Sequence, residues 1–283
     1  MSRLRRSVTF ALLTAVASLA ASVATARAGW EHHRPYQGEW AGSEEFRQIR
    51  ATVERERTAA LGTISRSLGL ELRGDERLDG IVFEYLDEGT AGPLGFPATS
   101  RGGFRPPADP RQPERVITVI VDRFLKSRDE LPGFVCHEMI HAVMSLEMGA
   151  RFVTLAPWAQ EGLAVYGAGQ GPDKLARLVA TEGAAPSGFP DGLEKQQDRL
   201  ADYVEAYLAI AYLAQVRGPQ SVRAFTADVI RGIPVPKAIE SAAGASWSQF
   251  AKGAGHYAAE RVASLAPRKP SEGLVVPDAE PLE

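Results

Sequence analysis

Residues 134–145 read FVCHEMIHAVMS, and no other stretch constrains the chain as tightly. The segment is bracketed by Pro132 and Gly149, a helix start and a helix stop, so it reads as one helix beginning near Asp129 to Pro132 and ending at Gly149. Wound at about 100° per residue from His137, the helix places His141 at about 40° and Glu138 at about 100°. Val135, Cys136, Met139, Ile140, Val143 and Leu146 fall between about 160° and 300° and form a continuous apolar face. The expectation is a helix with a wet side and a packed side. One turn raises His141 over His137 by about 5 to 6 Å, which lets both imidazoles reach one tetrahedral Zn²⁺ at roughly 2 Å. Glu138 stands beside them, placed to take a proton from a metal-activated water.

Two histidines are too few, because a catalytic zinc takes three protein ligands and leaves a fourth position open. The favoured third ligand is Glu161 in APWAQEGLAVYGAG. Pro157 starts a second helix, and Gly162, Ala164, Gly167 and Ala168 keep it slim enough to lie close against the first. The twenty residues from His141 to Glu161 hold a helix end, a short extended stretch RFVTL and a new helix, enough chain to return antiparallel. Alternatives remain. Glu147 on an unbroken helix points about 80° away from His137. Cys136 adjoins His137 and so reads as a small core residue. His256 reads as a satisfied or exposed helix histidine, and His32 and His33 as adventitious metal binders in a loose leader.

The rest of the chain supplies context. The first 28 residues combine Arg3, Arg5 and Arg6, an apolar run from Val8 to about Ala21, and Ala26 and Ala28, the pattern of an export signal. The apolar run is shorter than the roughly 20 residues of a membrane span, and no later segment reads as one, so the mature chain is expected periplasmic or secreted. Residues 29–42 read as the flexible leader and 267–283 as a proline-rich acidic tail, leaving 43–266 as the catalytic domain. The lone Cys136 forms no internal disulfide. Net charge is −3 with both signs mixed along the chain, which argues against a nucleic-acid partner. Ser43 caps a long helix in which Phe46, Ile49, Val53, Ala60 and Ile64 recur at helical spacing. GIVFEYL (80–86) and RVITVIV (115–121) read as strands, and the Gly/Pro-rich segment between them as irregular. GAGQGP at 167–172 follows a helix, not a strand, and reads as a helix stop; 183–199 reads as a surface loop. The fold class is α+β, with a small mixed sheet and a mainly helical second half.

CHEMIHAVM, then APWAQEGLAVY, then ADYVEAYLAIAYLAQVRGPQSVRAF together resemble the peptidase MA-like branch of the gluzincin zinc metallopeptidases, over roughly residues 43–260. The resemblance implies a zincin-like two-lobed fold and one zinc per chain. It makes His137, His141 and Glu161 the zinc ligands and Glu138 the general base for hydrolysis of peptide or protein substrates. It also puts Tyr203 where the family often has a tyrosine that donates to the oxyanion, although Tyr203, Tyr207, Ile210 and Ala214 equally fit core packing at helical spacing. RVITVIV matches the family's edge strand beside the cleft, to which an extended peptide could add. One departure stands out: the thermolysin-like gluzincins carry an acidic residue four places after the glutamate ligand, and here that place is Val165. A non-catalytic zinc-binding module, or a chaperone-like one with the same fold, is the alternative.

Overall fold

The computed structural model describes residues 32–107, 114–182 and 199–265. The signal region, residues 183–198 of the loop and the tail of 267–283 lie outside the described residues. Ser43 does cap the first helix, α1 (Glu44–Leu68): its hydroxyl accepts the Phe46 N–H at 3.1 Å, and Gly69 ends the helix at φ 74°. A 3-10 turn (Glu76–Gly80) leads into β1 (Ile81–Leu86). After the short α2 (Glu88–Ala91) come β2 (Gly102–Arg105), β3 (Arg115–Ile120) and α3 (Val121–Lys126). The motif helix is α4 (Leu131–Met148), and a 3-10 turn (Gly149–Thr154) joins it to α5 (Pro157–Gly167). Five further helices complete the described chain: α6 (Gly171–Glu182), α7 (Leu200–Arg217), α8 (Pro219–Ile230), α9 (Val235–Ala243) and α10 (Trp247–Leu265). The architecture is α+β, mostly helical, with one small sheet.

That sheet has the order β1-β3-β2, with β1 parallel and β2 antiparallel to β3. Two expectations are corrected here. The Gly/Pro-rich segment after β1 contains a strand, and β3 is the central strand instead of the edge. β2 is the edge, and its entry depends on glycine: Gly102 sits at φ 137°, where an added Cβ would lie 1.9 Å from the Thr118 carbonyl oxygen. Strand propensity reads side chains, and here the side chain's absence is what permits pairing.

Phe83, Ile117 and Val119 of the sheet, Ile49, Val53 and Ile64 of α1, and Val135, Met139 and Val143 of α4 share one core. Fully burying each of these side chains stabilises the fold by about 1.5–3 kcal/mol. A smaller core, including Leu175, Leu178, Val204, Leu208 and Val262, ties α6, α7 and α10 together. The wet side expected of α4 is absent, for Met144 and Ser145 are buried along with the apolar face. β2 and β3 pack on α4, as do α1, α5 and α8, so its polar sector looks into a cleft and not into bulk solvent. The leader is also firmer than expected over residues 32–42. His33 bridges to Phe83 in parallel register, is buried, and has both ring nitrogens engaged, Nδ1 with the Tyr85 hydroxyl at 2.7 Å and Nε2 with Glu54 at 3.0 Å. Side-chain anchoring of this kind leaves no periodic trace in sequence. No described helix is long and apolar enough to cross a membrane.

Candidate metal centre

Pro132 in the first turn of α4 and the glycine stop at Gly149 set the register that stacks His141 over His137. Their ring centroids are 4.8 Å apart and their Nε2 atoms 3.1 Å apart. The chain then turns back through a 3-10 turn, where an extended stretch was expected, and α5 begins at Pro157. One turn into α5, Glu161 brings Oε2 to 3.2 Å from His137 Nε2 and Oε1 to 3.3 Å from His141 Nε2. Glycine sets this placement. A Cβ on Gly167 would lie 2.7 Å from Ile140 Cδ1 of α4, and one on Gly162 would lie 2.5 Å from the Ala206 carbonyl oxygen of α7. The slim face of α5 therefore serves two neighbours, not the motif helix alone.

The donor set fits a divalent cation such as zinc. Ligands bound tetrahedrally at about 2.0–2.1 Å stand about 3.3–3.4 Å apart; here the two Nε2 atoms are 3.1 Å apart, and each faces a different Glu161 oxygen, at 3.2 Å for His137 and 3.3 Å for His141. One donor atom from each of His137, His141 and Glu161 falls within 4.8 Å of the others. Hydrogen bonding alone leaves the cluster incomplete. Glu161 Oε2 is buried and, despite its closeness to His137 Nε2, lies outside hydrogen-bond geometry; His141 Nδ1 is also buried without a hydrogen-bond partner. Charge points the same way. Burial alone would raise the Glu161 pKa, but His141 and then His137 outweigh it and hold the carboxyl far below its usual range. Burial likewise opposes charge on His141, and the adjacent Glu161 carboxylate overrides it to raise the imidazole pKa. A buried carboxylate facing two imidazoles is a site for positive charge.

The atoms around the cluster orient it. His137 Nδ1 faces Gln170 Oε1 at 3.1 Å; an amide oxygen can only accept, so the proton sits on Nδ1 and the Nε2 lone pair faces the cluster. Gln170 follows the end of α5 and lies over Gly133, where a Cβ would come within 3.1 Å of its Nε2. Val165, fully buried and apolar, offers no such acceptor. Glu138, 8% exposed, accepts the Phe104 N–H of β2 through Oε2 at 2.7 Å. Tyr203, in the first turn of α7, has its ring 6.3 Å from that of His137. A cleft of about 850 Å³ runs past His137, with Phe104, Gln170, Lys174 and Tyr203 in its walls.

The structure thus brings His137, Glu138, His141, Glu161 and Tyr203 into one region and disperses the alternatives. Glu147 pairs with Arg77 at 2.6 Å. Cys136 is half-buried, and burial, with a smaller contribution from Glu56, pushes its thiol up to about 11. His256 is exposed beside Glu260. Gln170, Lys174 and the Phe104 amide were not foreseen. Gln170 carried one signal, its place just past a helix stop one chain reversal from the motif; the other two carried none. No protein-family model matches this chain, and no curated protein matches it.

Proposed function

We propose that this chain is an exported zinc-dependent metallopeptidase that hydrolyses peptide or protein substrates, with one zinc per chain. The observation that carries the reading is the gathering of one donor atom each from His137, His141 and Glu161 within 4.8 Å of one another, the ligand types of a zinc site. The resemblance to peptidase MA-like gluzincins assigns the same three residues. The zincin-like two-lobed fold belongs to the same reading; one hydrophobic core runs from the sheet through α1, α4 and α5 to α7–α10.

His137, His141 and Glu161 would hold the ion. When bound, zinc lowers the pKa of water toward about 7 and polarises a carbonyl oxygen. Gln170 fixes the tautomer of His137, so no reorganisation of that ring is needed. Glu138, adjacent to His137 and anchored by the Phe104 N–H, is the proton acceptor, and it later returns the proton to the leaving amine. Its low exposure keeps competing water from the carboxylate. β2 takes the edge position expected of β3, and a peptide adding there would compete with Glu138 for the Phe104 N–H and with Ser100 Oγ for the Gly102 N–H. Tyr203 lines the same cleft and is the candidate donor to the oxyanion.

The test is Glu138→Gln, which keeps shape and removes the base. Wild type is expected to cut a mixed-peptide substrate, and the variant to keep one zinc while cleavage falls by about 10²-fold or more. Unchanged cleavage would remove Glu138 from its role. Zinc binding with no cleavage even by wild type would favour the non-catalytic reading.

A further inference from the structure

Lys174 lies in the cleft beside His137 and has no part in the hydrolysis described. It lies in the first turn of α6, one turn beyond Gln170, whose carbonyl accepts the Lys174 backbone N–H at 3.0 Å. The segment that steadies His137 therefore also presents a cation next to it. The ammonium lies over the Tyr203 ring, 5.1 Å from its centroid, in the wall that His137 and Gln170 share. Among the described residues no carboxylate stands within ion-pair distance of it. The negative groups it senses are Glu161, which faces the two histidines, and Glu130, which Arg101 holds at 2.8 Å. Arg101 and Arg177 add positive charge to the same wall, while Asp129 and Asp173 lie exposed at its rim. Among the described residues, a half-buried ammonium set over a ring with no carboxylate in ion-pair distance has donors to spare. Burial disfavours its charge, and an incoming anion would restore the balance.

We propose that Lys174 receives a carboxylate of the substrate, so that the cleft selects peptides with an acidic side chain or a free C-terminal carboxylate close to the scissile bond. The proposal rests on the peptidase reading and names its substrate class. Both sources present the same group to the same ammonium, and the difference between them is the difference between an endopeptidase with acidic preference and a carboxypeptidase.

The experiment measures binding without turnover. Zinc-loaded Glu138→Gln protein is titrated, by fluorescence anisotropy, with labelled hexapeptides of one core sequence. The peptides are neutral and amidated, amidated with Glu at successive positions, or neutral with a free C-terminus. A carboxylate form is expected to bind about tenfold or more tightly than the neutral amide. Adding Lys174→Met is expected to erase that preference, and Lys174→Arg to keep it, with zinc content of one per chain certifying the fold of each variant. Preference for Glu forms identifies the side chain as the partner; preference for the free terminus identifies the main-chain carboxylate. Equal affinities for all forms, or a preference that survives Lys174→Met, overturns the proposal. Selective binding without cleavage by wild type would sink the peptidase reading alone. Cleavage with indiscriminate binding would sink only this one.

Discussion

Replacing Gln170 by leucine removes one hydrogen bond and leaves the three metal-facing donors in place, so it isolates the support of the site from the site itself. In the native chain the His137 Nδ1 proton has an acceptor 3.1 Å away, and the ring is only 7% exposed. Leucine has no acceptor, and a water entering from the cleft would be a less fixed partner than the amide oxygen. His137 would then be free to change tautomer or tilt, and some of each population would turn the wrong nitrogen toward the ion. Loss of such an orienting partner typically costs 10–100-fold in metal affinity, about 1.4–2.7 kcal/mol. The assay is competition for zinc against a chromophoric chelator at pH 7.5, with apo-protein stability measured alongside to show that folding is intact. Gln170→Glu is the informative control. A charged acceptor at the same place makes the imidazole a stronger donor and should hold zinc at least as tightly as wild type. If Gln170→Leu binds zinc within about twofold of wild type, below the range expected for a lost orienting partner, then Gln170 is a packing contact and the tautomer argument fails.

Two predictions concern the scaffold. Trp158 is 4% exposed and stacks on Phe225 with centroids 6.4 Å apart, so Trp158→Ala should cost about 3–5 kcal/mol in urea denaturation; a loss under about 1 kcal/mol would mean the site collapses without a cavity. Burial, more than Arg50 or His32, depresses the His33 pKa, and Glu54 opposes it only in part. The unfolded chain thus takes up a proton first, so this contribution to stability is full above about pH 6.5 and is lost as pH falls toward the depressed value. Between pH 7.5 and pH 5.5, wild type should lose more unfolding free energy than His33→Gln, and equal losses would contradict the assignment.

The helical half and the heart of the site were legible because they obey local rules. α1 has its Ser43 cap and a regular apolar stripe, and α4 and α5 each carry a proline near the start and glycines where the chain must turn or pack. Those signals were enough to bring Glu161 over the two histidines. What escaped is what depends on tertiary partners. β2 forms because Gly102 can approach the Thr118 carbonyl of the neighbouring strand, a fact in neither strand's propensity. Gln170 and Lys174 sit in a turn and the start of the next helix with no period of their own, and matter only because the reversal after α5 lays them beside His137. His33 is bound through its ring nitrogens, which no hydrophobic pattern encodes. α4 misled in the opposite sense: its three polar residues mark a lined cleft, and neighbours bury the sector that a helical wheel assigns to water.

The central claim is that His137, His141 and Glu161 grip one zinc ion together. Anomalous diffraction at the zinc edge from crystals of the zinc-loaded chain tests it most directly. The account predicts a single strong peak about 2 Å from both Nε2 atoms and from a Glu161 carboxylate oxygen, lost in Glu161→Ala. A zinc peak elsewhere, or one at the two histidines with the Glu161 carboxylate turned away, would contradict it.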